Sequence, residues 1–400
     1  MNILQSLLLA FGLFLIQPLF IVGVILVIVS KSRRISYDRK QLRATVYKDN
    51  FEIKRFLLWG LAPGLLISAI TVGIGMPITL DWIILYQIVT ILALGLGYRF
   101  IHPIFTFSAT SLLMLGLTFF GVTTDQIATV PENWFSPLNE GLPVAYELTQ
   151  VSFIIALLLL LSTVFVLSTG NMSKFIPRFL ATKRGKLVAK YRMTPFWLVP
   201  LLLIIPGNGF QPFFDWWPVF TIGNQTYSFF LLPVLMGLRY TVQAQIPGEA
   251  KDRLLKDFVG LSVIGIVLFA LSFWMKEVAA IGLLFLIIGG FLALYRHRKR
   301  EQKWSFRFGP AEQGLRVIAV RPGSPAEKMG IGIGDALLEC NERQLHTSED
   351  LNEALFSNRA YCHLKVNRVD NEIILSETAI YEDDPHDLGL ITLEEINIVK

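Results

Sequence analysis

Apolar residues fall in long, nearly charge-free blocks over residues 1–303 and in short alternating runs after Lys303. The blocks are Leu7–Val29, Phe56–Gly75, Trp82–Tyr98, Pro103–Val122, Tyr146–Ser168, Phe196–Pro206, Tyr227–Tyr240, Phe258–Trp274 and Val278–Tyr295. A helix needs about 20 apolar residues to cross a bilayer core of about 30 Å. The blocks therefore predict a polytopic α-helical membrane protein of about nine spans, with eight as the alternative count. Leu7–Val29 is longer than the apolar part of a removable signal peptide, and no basic stretch precedes it, so a retained first span is expected.

Two blocks are short. As a helix, Phe196–Pro206 would reach only roughly 16 Å. Between it and Tyr227–Tyr240 lie Pro206, Gly207, Gly209, Pro212 and Pro218. The pair reads either as two deep spans or as a re-entrant, broken-helix hairpin.

Loop charge orients the spans. Loop 30–55 carries nine Lys/Arg, loop 170–194 seven, and loop 241–257 Lys251, Arg253 and Lys256. Loops 123–145 and 207–226 carry none, only Asp125, Glu132, Glu140 and Asp215. Basic loops stay on the cytoplasmic side, which predicts an outside N-terminus and a cytoplasmic C-terminus. Trp216 and Trp217 are expected at the membrane interface. The chain is 53% hydrophobic with a mean hydropathy of +0.53. Residues 1–303 hold 27 Lys/Arg against 14 Asp/Glu, or +13, and residues 304–400 hold 9 against 17, or −8. The basic excess belongs to the membrane half, so topology explains it better than nucleic acid does.

Ionisable side chains (Asp81, Arg99, His102, Lys276, Glu277) stand at span ends. A proton or ion pathway needs such groups inside the spans. A path for a neutral substrate stays open. Gly60 and Gly64 form a GxxxG pattern, which reads as intrachain packing or simple turn glycines, with close helix packing between copies of a homo-oligomer as the alternative.

After Lys303 the period changes. Leu315–Val320 reads as a strand apolar on both faces. Pro322-Gly323 is a turn, and Ser324 caps a short helix starting at Pro325. A strand Ala336–Cys340, a turn at Asn341-Glu342, a helix Ser348–Phe356 and strands Tyr361–Val366 and Glu372–Glu377 follow. Cys340 and Cys362 lack His neighbours at ligand spacing and read as buried thiols. The domains expected are a multi-span part over 1–303, a soluble domain over 304–380, and an acidic-then-apolar tail over 381–400.

The strand Leu315–Val320, the run Pro322-Gly-Ser-Pro-Ala-Glu327 and Gly334-Asp335 resemble a PDZ domain of the bacterial type, a small α+β fold. That resemblance implies that an extended peptide adds as a strand beside the long helix. Phe306, Arg307, Phe308 and Gly309 would stand at the terminal carboxylate, and Leu351 and Leu355 would line the helix side. No H-E-x-x-H, G-x-S-x-G, P-loop or dinucleotide motif is present, so no enzyme, metal site or cofactor is expected.

With the run Gly314–Asp335 and the tail after Thr378, the architecture resembles the MinJ family, the membrane topology factors of the Min cell-division system in Gram-positive bacteria. That resemblance implies a non-enzymatic scaffold enriched at septa and poles. Its partners would be DivIVA-like and MinD-like proteins, and it would restrict FtsZ assembly near septa. Two alternatives stand beside it: a transporter-like protein with a regulatory PDZ domain, and an accessory of a membrane protease or secretion system.

Overall fold

A computed structural model of the chain describes residues 3–42, 47, 50–120, 142–169, 174–182, 185–220, 222, 226–303, 306–357, 361–379 and 388–393. The acidic loop expected outside lies largely beyond these, as do 381–387 and 394–400 of the tail.

The membrane half begins with α1 (Ile3–Ile16) and α2 (Pro18–Tyr37), bent by 48° at Gln17. Pro18 forces the bend: the residue before a proline avoids helical angles, and Gln17 sits at φ −59°, ψ 136°. Then come α3 (Phe51–Leu58), α4 (Leu61–Ile74), α5 (Leu80–Leu96), α6 (Pro103–Phe119) and α7 (Leu142–Thr169). Strands β1 (Pro177–Ala181), β2 (Leu187–Met193), β3 (Phe196–Phe210), β4 (Tyr227–Gly237) and β5 (Tyr240–Val242) follow, and helices α8 (Pro247–Leu271) and α9 (Val278–Lys303) complete this half. Central α7 packs against α4, α6, α8 and α9.

Among the described residues, four helices are long and apolar enough to cross a membrane: Phe51–Ile74, Val144–Thr169, Pro247–Leu271 and Val278–Lys303. The bent α1–α2 pair makes a fifth if it is one span. The count of nine is therefore not supported. Helices α5 and α6 have 17 residues each, about 26 Å at 1.5 Å per residue.

Phe196–Pro206 and Tyr227–Tyr240, expected as helical spans, are mainly strand. They form the antiparallel pair β3–β4, in which Pro200 stands opposite Pro233. A proline inside a helix costs about 3 kcal/mol, whereas at the outer edge of a two-stranded pair it removes a donor that would need a partner. Length favours the strand as well: the 11 residues of β4 reach roughly 36 Å when extended.

An isolated pair has two open edges, and buried backbone groups need partners. The helices and their connections supply them. On β3, the Leu202 amide donates to Ser68 Oγ at 2.8 Å and Thr71 Oγ1 donates to the Leu202 carbonyl at 2.9 Å. The Ile204 carbonyl accepts from the Ile78 amide at 2.8 Å. On β4, the Phe229 amide donates to Ser6 Oγ at 3.2 Å, and Gln17 Nε2 donates to the Leu231 carbonyl at 2.7 Å. The GxxxG pair is part of this fit. A Cβ on Gly60 would stand 1.7 Å from the Leu198 carbonyl oxygen, and one on Gly64 would stand 2.7 Å from that of Pro200. These glycines thus admit a strand within the chain. Trp216 is exposed, but Trp217 is buried and its indole donates to the Val72 carbonyl at 2.8 Å.

The C-terminal domain comprises β6 (Leu315–Val320), α10 (Pro325–Lys328), β7 (Ala336–Cys340), β8 (Arg343–Gln344), α11 (Ser348–Ser357), β9 (Tyr361–Asn367), β10 (Ile373–Ala379) and β11 (Leu390–Leu393). Its sheet runs β10-β9-β7-β6-β11, with β8 beside β7. Ser324 Oγ accepts from the Glu327 amide, and Glu327 Oε2 accepts from the Gly323 amide at 2.6 Å, a capping arrangement that fixes α10. Cys340 and Cys362 are buried free thiols on β7 and β9, with Sγ atoms 3.8 Å apart.

Candidate functional site

The C-terminal domain sits on a platform that the membrane half builds. Strands β1, β2 and β5 form a three-stranded sheet, and α9 runs past its span to meet it. There the Glu301 carboxylate is buried. It accepts from the Gln243 and Ala244 amides at 2.7 and 2.8 Å and from Gln245 Nε2 at 2.6 Å. Hydrogen bonds to a charged acceptor are the stronger kind, so the end of α9 is fixed to the connection between β5 and α8.

The chain leaving α9 is fixed too. The Arg307 amide donates to the Gln243 carbonyl at 3.0 Å, and the Ala189 amide of β2 donates to the Phe308 carbonyl at 2.8 Å. The Phe308 ring is fully buried against Tyr191, edge to face at 4.9 Å.

Strand β6 explains its two apolar faces. Leu315 and Val317 belong to the core of the domain, whereas Ile318 belongs to the core of the membrane half and Ala319 packs with Tyr47 and Phe51. The outer edge of β6 is covered by β11 from the tail. Ile391 pairs with Ala319 and Thr392 with Val317, so Ile318 is skipped as a bulge. A bulged residue leaves the ladder, and the Ile318 carbonyl instead accepts from the Tyr191 hydroxyl at 2.5 Å.

The tail is held along its described length. Leu388 is buried in the domain core, and its carbonyl accepts from the Ala326 amide at 3.1 Å. The Gly389 carbonyl accepts from the Arg321 amide at 2.8 Å. Leu393 enters the core of the membrane half.

The residues expected to bind a peptide are thus distributed. Phe306 is exposed at the junction, and Arg307 and Phe308 are tied by backbone to the platform. A Cβ on Gly309 would meet only Val188, at 3.8 Å. Leu351 and Leu355 lie in the domain core on α11. Phe308 and the two leucines fall in separate clusters. Tyr191, Gln243 and Glu301 carried no motif and were missed. The alternation of Phe306 and Phe308, a strand-like period next to a span, was the available signal for a docked segment.

Long apolar helices, and a small α+β domain seated on a platform at one end of them, define a membrane protein with a C-terminal PDZ domain. The PDZ domain family matches residues 305–372. Over nearly its whole length the chain is similar to the cell division topological determinant MinJ of Bacillus subtilis (strain 168). The two are 26% identical over 385 residues, covering 96% of this chain and 94% of that protein. The probable cell division topological determinants MinJ of Lacticaseibacillus paracasei and Lacticaseibacillus casei (strain BD-II) are each 25% identical over 371 residues. Those matches cover 90% of this chain and 91% of each relative.

Proposed function

We propose that this protein is a non-enzymatic membrane scaffold of division-site selection. The observation that carries the reading is likeness to MinJ along both halves at once, across 96% of the chain. In finer detail, the scaffold bridges a DivIVA-like polar and septal protein to a MinD-like ATPase and restricts FtsZ assembly near septa. The N-terminus is outside and the PDZ domain cytoplasmic. Clustering of the basic loops, the platform and the PDZ domain at one end of the helices supports that orientation.

Partner peptides engage the PDZ domain, with Phe306–Gly309 and the α11 residues Leu351 and Leu355 at the groove. Phe308 is buried against Tyr191, so that segment must leave its seat before a peptide reaches it.

A transporter-like reading draws on the broken α1–α2 pair, since transporters bind substrate at interrupted helices. Here the polar residue at the break, Gln17, holds β4 and accepts from Gln87 Nε2 at 3.0 Å. Its amide serves packing.

Deleting residues 304–400 tests the proposal. Minicells or filaments are expected, and normal cell length with normally placed septa would overturn it. A reporter fused after Lys400 should be active only in the cytoplasm.

A further inference from the structure

A cavity of about 160 Å³ opens between the platform-side ends of α2 and α3 and strands β1 and β2. Six basic side chains and one acid, Glu52, line it. Three of the bases are committed. Arg34 bonds Glu52, Asp38 and the Tyr47 carbonyl. Lys174 lies over the Tyr47 and Phe51 rings, and Arg178 over Tyr37.

The other three are Arg33, Arg55 and Arg192. Arg55 stacks on Phe51 and Trp59, yet its Nε, like that of Arg192, is buried without a hydrogen-bond partner among the described residues. No described carboxylate pairs with Arg33 or Arg192. Burial, then the nearby Arg239 and Arg178 guanidiniums, hold Arg192 below its usual range. Unpaired buried donors are costly, and guanidinium forks match phosphate oxygens.

The opposite wall is apolar and includes Val27, Val29 and Phe196. Val29 is itself exposed and continues into Ile21, Ile25 and Ile28, an exposed stripe along spanning helix α2. A site that is cationic at one end and lipid-facing at the other suits an amphiphile better than a soluble anion.

We propose that this cavity binds the headgroup phosphate of an anionic membrane lipid, with Arg33, Arg55 and Arg192 around the phosphate and an acyl chain along Ile21, Ile25 and Ile28. The test is native mass spectrometry of the full-length protein in a neutral detergent, titrated with phosphatidylglycerol, phosphatidylcholine or inorganic phosphate. Phosphatidylglycerol should be retained about tenfold more tightly than phosphatidylcholine. That preference should vanish in the Arg33→Gln, Arg192→Gln double variant and persist in Arg298→Gln, which removes an exposed charge from α9 away from the cavity. Equal retention of the two lipids by the unmodified protein would overturn the proposal. So would an equal loss in Arg298→Gln, which would mean general surface attraction. Binding of inorganic phosphate without phosphatidylglycerol would overturn the lipid assignment.

Discussion

The Tyr191 hydroxyl donates to the Ile318 carbonyl at 2.5 Å, joining a platform strand to the one PDZ carbonyl that the β6–β11 bulge leaves out. Burial pushes the Tyr191 hydroxyl well above its ordinary pKa, so it remains a donor throughout the physiological range. Tyr191→Phe keeps the ring on Phe308 and strands the carbonyl, at about 1 kcal/mol. Hydrogen exchange should quicken in β6 and at Ala189 while α4 and β3 stay protected. Unchanged exchange at β6 would mean that this contact does not hold the domain down.

Gly389 has φ +76°, and a Cβ there would stand 2.3 Å from the Ser324 Cβ. Gly389→Ala therefore combines a left-handed penalty of about 1–2 kcal/mol with a clash against the α10 cap. The expected result is release of the tail: fast exchange and protease cleavage near Leu388–Leu393, with β7, β9 and β10 still protected. A tail as resistant as in the unmodified protein would refute its fixed role.

Within one membrane helix, glycines should differ by what they face. Gly60→Ala and Gly64→Ala push a methyl into β3 carbonyls, so both should lower the melting temperature in detergent, Gly60→Ala more. Gly73 has open space at its Cβ position, and Gly73→Ala should be neutral or stabilising by up to about 1 kcal/mol. Equal effects at all three would remove the argument from strand packing.

Burial raises the Asp335 carboxyl above its ordinary value, an effect only partly offset by the Gly332 amide donating to it at 2.8 Å. A raised native pKa stabilises at pH below the unfolded value of about 3.9, and that contribution is lost as pH rises through the native one. PDZ protection should therefore fall as pH rises above about 4 and level off once the native carboxyl has ionised. Asp335→Asn keeps an acceptor for Gly332 and should flatten the Asp335 part of the profile. A variant that tracks the unmodified protein at every pH would contradict this.

Most PDZ elements were legible almost residue by residue, but β8 and the tail strand β11 were not. Ser324-Pro325, Asn341-Glu342 and the two-sided Leu315–Val320 are local signals, and local chemistry decides them. The β3–β4 pair was not legible from hydropathy, because a buried strand and a buried helix are equally apolar. Pro200 and Pro233 were the discriminating residues, placed mid-block where a helix tolerates them poorly. The GxxxG pattern alone does not separate helix packing from turn glycines, and its actual partner, a strand, depends on contacts more than a hundred positions away. The second apolar face of β6 announced a docked surface without naming Tyr191, since burial by another domain leaves no period of its own on the receiving side.

The PDZ domain is pinned at both ends of its chain: Arg307 and Phe308 hold its entry, and Leu393 buries its exit in the membrane half. A body tethered at one point swivels freely, while one tethered at two turns only about the line between them. The domain is thus a bracket. While both ends stay seated, a load on the domain passes to α9 and the platform in a set direction, and the orientation of the helices fixes the orientation of the domain.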